Sequence, residues 1–91
     1  AYAAQAICSP SRAALLTGLN PARLHLTTWL PGRPDAPSQR VLHPEIMMNV
    51  PISTRMMPRY FREAGYATGL FGKWHVGKAP GPSEHGFEAV Y

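Results

Sequence analysis

At 91 residues the chain is long enough for one small domain, and a chain of this size buries a little over ~60% of its unfolded surface. Hydrophobic residues make up 45% and charged residues 15%, a globular balance that excludes disordered and collagen-like classes, and no stretch approaches the ~20 apolar residues of a membrane span. Nine Lys and Arg against five acids give a formal charge of +4, which favours anionic partners without choosing among sulfate esters, phosphates, nucleic acid and lipid headgroups.

The shortage of acids is the sharper clue. Asp35 is the sole aspartate and lies in a Pro-rich stretch, so no carboxylate cluster for a hard metal ion is expected from these residues. The single cysteine, Cys8, excludes an internal disulfide and leaves the redox compartment open. The opening Ala1-Tyr2-Ala3-Ala4-Gln5 has neither an initiator Met nor a basic signal-peptide head, so the chain is read as part of something longer.

In chain order, small apolar residues run up to Cys8 and into Ser9-Pro10-Ser11-Arg12, where Ser9 is expected to cap a helix and Pro10 to occupy its first position. Ala13, Ala14, Leu15 and Leu16 continue that helix, and Gly18 is placed to end it in a left-handed conformation. Six prolines between Pro31 and Pro58 predict a long irregular loop over 31–58, with one short strand around 40–43. Met57, Tyr60, Phe61 and Ala64 recur at helical spacing before Gly65, which predicts a second, amphipathic helix with Pro58 in its first turn. A mostly apolar run over 66–71 then reads as a strand buried on both faces, delivering Gly72-Lys73-Trp74-His75 at its end. Helix followed by buried strand indicates an α/β class. Turn-forming residues at 79–83 separate it from an ordered segment that restarts at His85-Gly86-Phe87.

Two constellations carry chemistry. The first runs from Cys8 to Gly18, Cys-Ser-Pro-Ser-Arg-Ala-Ala-Leu-Leu-Thr-Gly. A reactive side chain just before a helix start meets free backbone N–H groups and the positive helix end, an arrangement suited to an anion. Arg12, about one turn in, adds a charge with bidentate geometry for a tetrahedral oxyanion. The second runs from Gly65 to Gly77 and contains Gly72-Lys73-Trp74-His75. In an extended backbone Lys73 and His75 would face one side and Trp74 the other, pairing a cation with a base.

The first block resembles the sulfatase signature C-x-P-S-R followed by a small-residue helix and L-T-G, at every position. The second resembles the other sulfatase signature, G-Y-x-T-x-x-x-G-K-x-H, without a mismatch at its fixed positions. Tyr2-Ala3-Ala4, Trp29-Leu30-Pro31-Gly32 and Gly86-Phe87 also look like this family, while Pro58 and the pairs Met47-Met48 and Met56-Met57 depart from it most.

The resemblance implies a formylglycine-dependent sulfatase. Its fold would be alkaline-phosphatase-like, a mixed sheet flanked by helices, with residues 1–91 a partial N-terminal catalytic domain and 31–58 a Pro-rich loop within it. Cys8, Pro10 and Arg12 would be read by a formylglycine-generating enzyme that converts Cys8 to Cα-formylglycine. One hydroxyl of its hydrate would attack the ester of an aryl or carbohydrate sulfate, and the other would lose its proton as sulfate leaves. Lys73 would neutralise charge on the sulfate, His75 would accept the proton, and Arg12 would hold the hydrate and orient the sulfate. The residue-8 oxygen would also ligate a calcium ion whose remaining ligands lie outside these residues, so the piece alone is expected to be inactive. The same resemblance implies a periplasmic, secreted or lysosomal setting.

Simpler roles compete with these. A lone cysteine among small residues is ordinarily buried filler, and Arg12 on a helix is ordinarily a solvated charge; the completeness of the motif favours the active-site role for both. Trp74 is expected in the core, and His25, His43 and His85 match no motif, so surface or structural roles are expected for them. The rival functions are a phosphonate monoester or phosphodiester hydrolase using the same formylglycine, and a non-catalytic anion-binding module. Nucleic acid is disfavoured as a partner because no run of Lys and Arg is present.

Overall fold

In the computed structural model, which describes residues 1–91, the first helix, α1, spans Cys8–Thr17. It begins two residues earlier than expected, with Ile7 at the cap position and no side-chain cap. Ser9 does not cap because its hydroxyl is engaged elsewhere, accepting the N–H of Leu30 at 3.0 Å. The expected stop holds: Gly18 is left-handed at φ 71° and its N–H closes on the Ala14 carbonyl at 2.8 Å, a conformation in which a Cβ would be strained. The Thr17 hydroxyl bonds back to the Ala13 carbonyl at 2.7 Å and accepts the Leu19 N–H at 3.1 Å, steering the chain out of the helix.

Turns over 20–25, anchored by the Asn20 side chain on the Ala22 N–H, bring Leu24 and Leu26 under α1. These residues, with Ala13, Leu30, Val50, Met56 and Val76, form the buried core, and Leu16, Leu19, Ile46 and Trp74 pack against its edge. The core thus joins the helix, the Pro-rich segment and the second motif rather than two regular layers.

The Pro-rich segment is irregular as expected, but the strand predicted around 40–43 does not form. Asp35 takes its place as organiser, accepting the His43 N–H at 2.9 Å, the His43 ring at 2.8 Å and the Gln39 amide at 2.9 Å. A backbone N–H satisfied by a carboxylate is not free for a ladder. The segment is fastened at its far end by backbone bonds from Met47 to the His25 carbonyl, 2.7 Å, and from Val50 to the Val76 carbonyl, 3.1 Å.

The second helix, α2, spans Met57–Glu63 with Pro58 in its first turn, as expected. Its apolar stripe stays open: Met57, Tyr60 and Phe61 are exposed, Phe61 meeting Tyr66 edge-on at 5.7 Å and Tyr60 lying under the Arg55 guanidinium. The strand predicted over 66–71 shrinks to β1, Gly69–Leu70, which pairs in parallel with β2, Ala89–Val90, in the register Gly69 to Ala89 and Leu70 to Val90. It is not buried on both faces. Tyr66 is 63% and Phe71 75% exposed, and Phe71 stacks on Tyr91 at 5.3 Å instead of entering the core. The apolar run over 66–71 carried no information about which of its faces this chain covers.

Behind this small sheet, His85 is buried, its Nε2 donating to the Val50 carbonyl at 3.2 Å beside Trp74. This is the structural role expected for it. Burial holds its imidazole below the ordinary histidine value with help from the Arg59 guanidinium, against the opposing pull of the Val50 carbonyl and Glu84. The unfolded chain therefore takes up the proton more readily than the folded one. Stability is whole above the unfolded histidine value of about 6.5 and falls as pH drops from there toward the lower folded value. Thermal melts of the full-length protein between about pH 7.5 and about pH 5 should show a larger fall for wild type than for His85→Gln; equal slopes would remove His85 from the account.

Gly77, at φ 134°, packs so closely on Asn49 that a Cβ would lie 2.8 Å from the Asn49 Cα. Both backbone conformation and space exclude a side chain there. Gly77→Ala should destabilise the full-length protein by about 1–3 kcal/mol, read as a lower denaturant midpoint, and an unchanged midpoint would mean that the 49–50 backbone yields.

Candidate active site

The first turn of α1 carries Cys8, half-buried and free, with buried Ser9 and Pro10 behind it. The first intrahelical bond runs from the Ser11 N–H to the Ile7 carbonyl at 3.3 Å, so the amides ahead of it are the unspent donors of the positive helix end. Cys8 therefore sits inside the first turn rather than just before the helix. Burial pushes its thiol up, but the backbone N–H and hydroxyl of Ser9 and the Lys73 ammonium pull it down, and the net direction is below the ordinary cysteine value.

Arg12, one turn on, donates from Nη1 to the backbone carbonyl of Lys73 at 2.6 Å. This bond places the second motif over the start of the first, across 61 residues of sequence. The structure thus brings Cys8, Arg12 and Lys73 together.

The backbone that carries Lys73 and His75 is not extended. His75 is left-handed at φ 57°, between glycines at φ 111° and 134°, so the predicted alternation of Lys73 and His75 against Trp74 does not position them. A non-glycine residue in this region is uncommon and costs about 1–3 kcal/mol unless its surroundings fix it. What fixes it here is the bond from His75 Nε2 to the Leu30 carbonyl at 2.7 Å. A carbonyl only accepts, so Nε2 carries the hydrogen, and in the neutral ring the lone pair is on Nδ1. That Nδ1 is buried with no partner.

Leu30 closes the circuit, because its own N–H donates to the Ser9 hydroxyl at 3.0 Å. Sequence reasoning missed Ser9 and Leu30 as parts of the site. Leu30 acts through its backbone, which leaves no mark on residue type, and Ser9 was assigned to capping.

Beside His75 opens a cleft of about 620 Å³, whose wall includes Leu30, Pro31, Asn49, Gly77 and Lys78. The Asn49 side chain holds this wall by accepting the Lys78 N–H at 2.9 Å. Trp74 is half-buried at the edge of the core, edge-on to Phe87 at 6.2 Å. His25 is exposed, and exposed His43 is paired with Asp35.

A calcium ion needs about six to eight oxygen ligands. No group of three or more His, Cys, Asp or Glu side chains comes together in these residues, and the one aspartate is engaged with His43 and Gln39. The donor set present here does not fit calcium by itself, and residue 8 could supply one ligand. What the arrangement can do unaided is hold an anion: the first turn of α1 presents free amides beside Cys8, the Arg12 guanidinium is tied to the Lys73 backbone, and an unpartnered imidazole nitrogen is linked to the same turn through Leu30.

Residues 1–91 match the Sulfatase family model. Over 90 residues the chain is 41% identical to N-acetylgalactosamine-6-sulfatase of Mus musculus, covering 96% of this chain and 16% of that protein. It is 38% identical over 90 residues to arylsulfatase A of Bos taurus, covering 94% of this chain and 16% of the relative. Among solved structures, Ps i-CgsB superposes with a TM-score of 0.74 at 34% identity, covering 96% of this chain and 17% of that one; the same protein has been crystallised with k-i-k-neocarrahexaose. The match runs the length of the chain and includes both motifs that build the site: the chain belongs to the sulfatase family.

Proposed function

We propose that residues 1–91 are the nucleophile-bearing part of the N-terminal catalytic domain of a sulfuric ester hydrolase, within an alkaline-phosphatase-like α/β fold. The observation that carries this reading is the convergence on Cys8 of the helix end, the Lys73 ammonium and, through the Lys73 carbonyl, Arg12. Cys8, Pro10 and Arg12 lie in one turn of a helix that leaves Cys8 half-exposed, so a formylglycine-generating enzyme acting on that segment has its whole pattern in sequence.

Formylglycine at residue 8 would supply a hydrated aldehyde, an oxygen nucleophile with a second hydroxyl that lets sulfate depart. Around it the chain's own residues divide the work. Lys73 stabilises the negative charge that grows on the sulfate oxygens. Arg12 spends one N–H on the Lys73 carbonyl and keeps the rest of its guanidinium to orient the sulfate. His75 offers Nδ1 as proton acceptor, because Nε2 is committed to Leu30. The sum is water plus sulfate ester giving alcohol plus sulfate, and no step here is routed through calcium.

A sulfated glycan is the favoured substrate class. The named activity of the mouse relative and the oligosaccharide bound to Ps i-CgsB support it, and the cleft beside His75 gives room for a sugar next to the reacting group. A periplasmic, lysosomal or secreted setting goes with this reading. No helix is long and apolar enough to cross a membrane.

Cys8→Ala in the full-length enzyme should abolish turnover of aryl sulfate while leaving the melting temperature nearly unchanged, and peptide mass spectrometry of wild type across residues 1–12 should find the aldehyde in place of the thiol. Turnover by Cys8→Ala equal to wild type would refute the assignment, and a preference for phosphodiester over sulfate substrates would move the chain to the phosphorus-cleaving branch.

In protein made without the maturing enzyme, Cys8 stays a thiol. Its alkylation by iodoacetamide should reach half-maximal rate below the pH of an ordinary cysteine, since the thiolate is the reactive form. Lys73→Ala should move that midpoint upward. A midpoint indifferent to Lys73 would show that the ammonium does not face residue 8.

A further inference from the structure

We propose that Ser9 is a positioning residue for the reaction, setting the placement of the His75 imidazole relative to residue 8 through the peptide groups of Leu30. The inference rests on the sulfatase reading above and assigns a role to the variable position of the Cys-x-Pro-Ser-Arg motif.

The geometry is a chain of two hydrogen bonds through one residue. The Leu30 N–H donates to Ser9 Oγ at 3.0 Å, and the Leu30 carbonyl accepts from His75 Nε2 at 2.7 Å. Ser9 is fully buried and follows Cys8 directly on α1, so its hydroxyl is held relative to the nucleophile's backbone by the helix itself. Leu30 is 8% exposed and belongs to the core. A buried hydroxyl that accepts a backbone N–H fixes both partners, because breaking the bond leaves a buried donor unsatisfied. Both bonds are made by the backbone of one buried residue, so displacing the chain at Leu30 strains both together.

The cap that the sequence predicts for Ser9 would explain its presence without any link to catalysis, but no side chain caps α1. Nor is Leu30 served by any other backbone acceptor. The one hydrogen bond the hydroxyl makes is spent on holding the loop that holds the base.

Two consequences separate positioning from ordinary structural support. Misplacing a general base by a fraction of an ångström slows the chemical step with little effect on substrate binding. Restoring the hydroxyl should restore the rate, whatever the change in melting temperature. The experiment uses the full-length, matured enzyme as Ser9→Ala, Ser9→Thr and Ser9→Cys, with aldehyde content at residue 8 measured by peptide mass spectrometry and rates normalised to it, and p-nitrophenyl sulfate as substrate. Ser9→Ala is expected to lose about tenfold or more in kcat at a KM within about twofold of wild type, and Ser9→Thr to recover most of that loss. Should Ser9→Ala fail to accumulate, Ser9→Cys, which keeps the volume with a weak acceptor, is judged by the same values.

Normalised kcat within about twofold of wild type in the hydroxyl-free variant overturns the inference, as does an equal loss in Ser9→Thr and Ser9→Ala. A fall in melting temperature with unchanged normalised kcat also overturns it, since Ser9 would then be structural only. Cys8→Ala, run alongside, separates the levels: activity surviving in that variant sinks the sulfatase reading itself, whereas an inactive Cys8→Ala with a wild-type-like Ser9→Ala sinks only the role of Ser9.

Discussion

The peptide groups of Leu30 are the constraint on which the rest of this site depends. One bond from its N–H reaches the helix that carries Cys8, and one to its carbonyl orients the ring of His75. A side-chain contact in the same place could be made by several rotamers; a backbone donor and acceptor on one buried residue admit few arrangements. The price is that the loop over 26–32 must be rigid, and the burial of Leu26 and Leu30 in the core supplies that rigidity. Each such side chain contributes about 1.5–3 kcal/mol when taken out of water.

The same logic extends around the site. Ala13 follows Arg12, Val76 follows His75, and Leu30 lies between their elements; all three are in the one core cluster. Arg12 and His75 are thus each next in sequence to a residue whose position is set by packing, and regular secondary structure contributes only the first turn of α1. Within the second motif the strand β1 ends at Leu70, ahead of Lys73 and His75, so carbonyl bonds from Arg12 to Lys73 and from His75 to Leu30 hold those residues instead of a ladder. Glycines at 72 and 77 allow the turns that such a path needs, and His75 itself is held in a left-handed conformation between them.

The residues of the candidate site could be singled out in the sequence because they are particular types at short spacings: Cys8 to Arg12 is one helical turn, and Lys73 to His75 is a local pair. Gly18 and Pro58 marked helix boundaries for the same local reason, through backbone conformations those residues favour. The misreadings share a cause as well. The strand around 40–43 was lost to the Asp35 carboxylate, the cap at Ser9 to the Leu30 N–H, and the buried strand over 66–71 to the Phe71 and Tyr91 stack on an exposed face. In each case a partner distant in sequence took a group that local pattern had assigned nearby. The tie through Leu30 was invisible for a stronger reason, since a backbone group is present at every position.

Charge completes the picture. Four of the five carboxylates are engaged away from Cys8: Asp35 with His43, Glu63 with Arg55, Glu88 with Arg62, and Glu84 on the Gly81 N–H at 2.6 Å. Neither Arg12 nor Lys73 has an acidic partner among them. Two cations and a helix N-terminus held together without a counter-charge repel one another, and the Arg12 bond to the Lys73 carbonyl and the core beneath keep them in place despite that repulsion. An anion at this place would therefore meet donors already oriented and unneutralised, which need not reorganise to receive it. The excess of basic residues, uninformative as a sum, gains meaning where two of its members without an acidic partner, Arg12 and Lys73, meet at the start of α1.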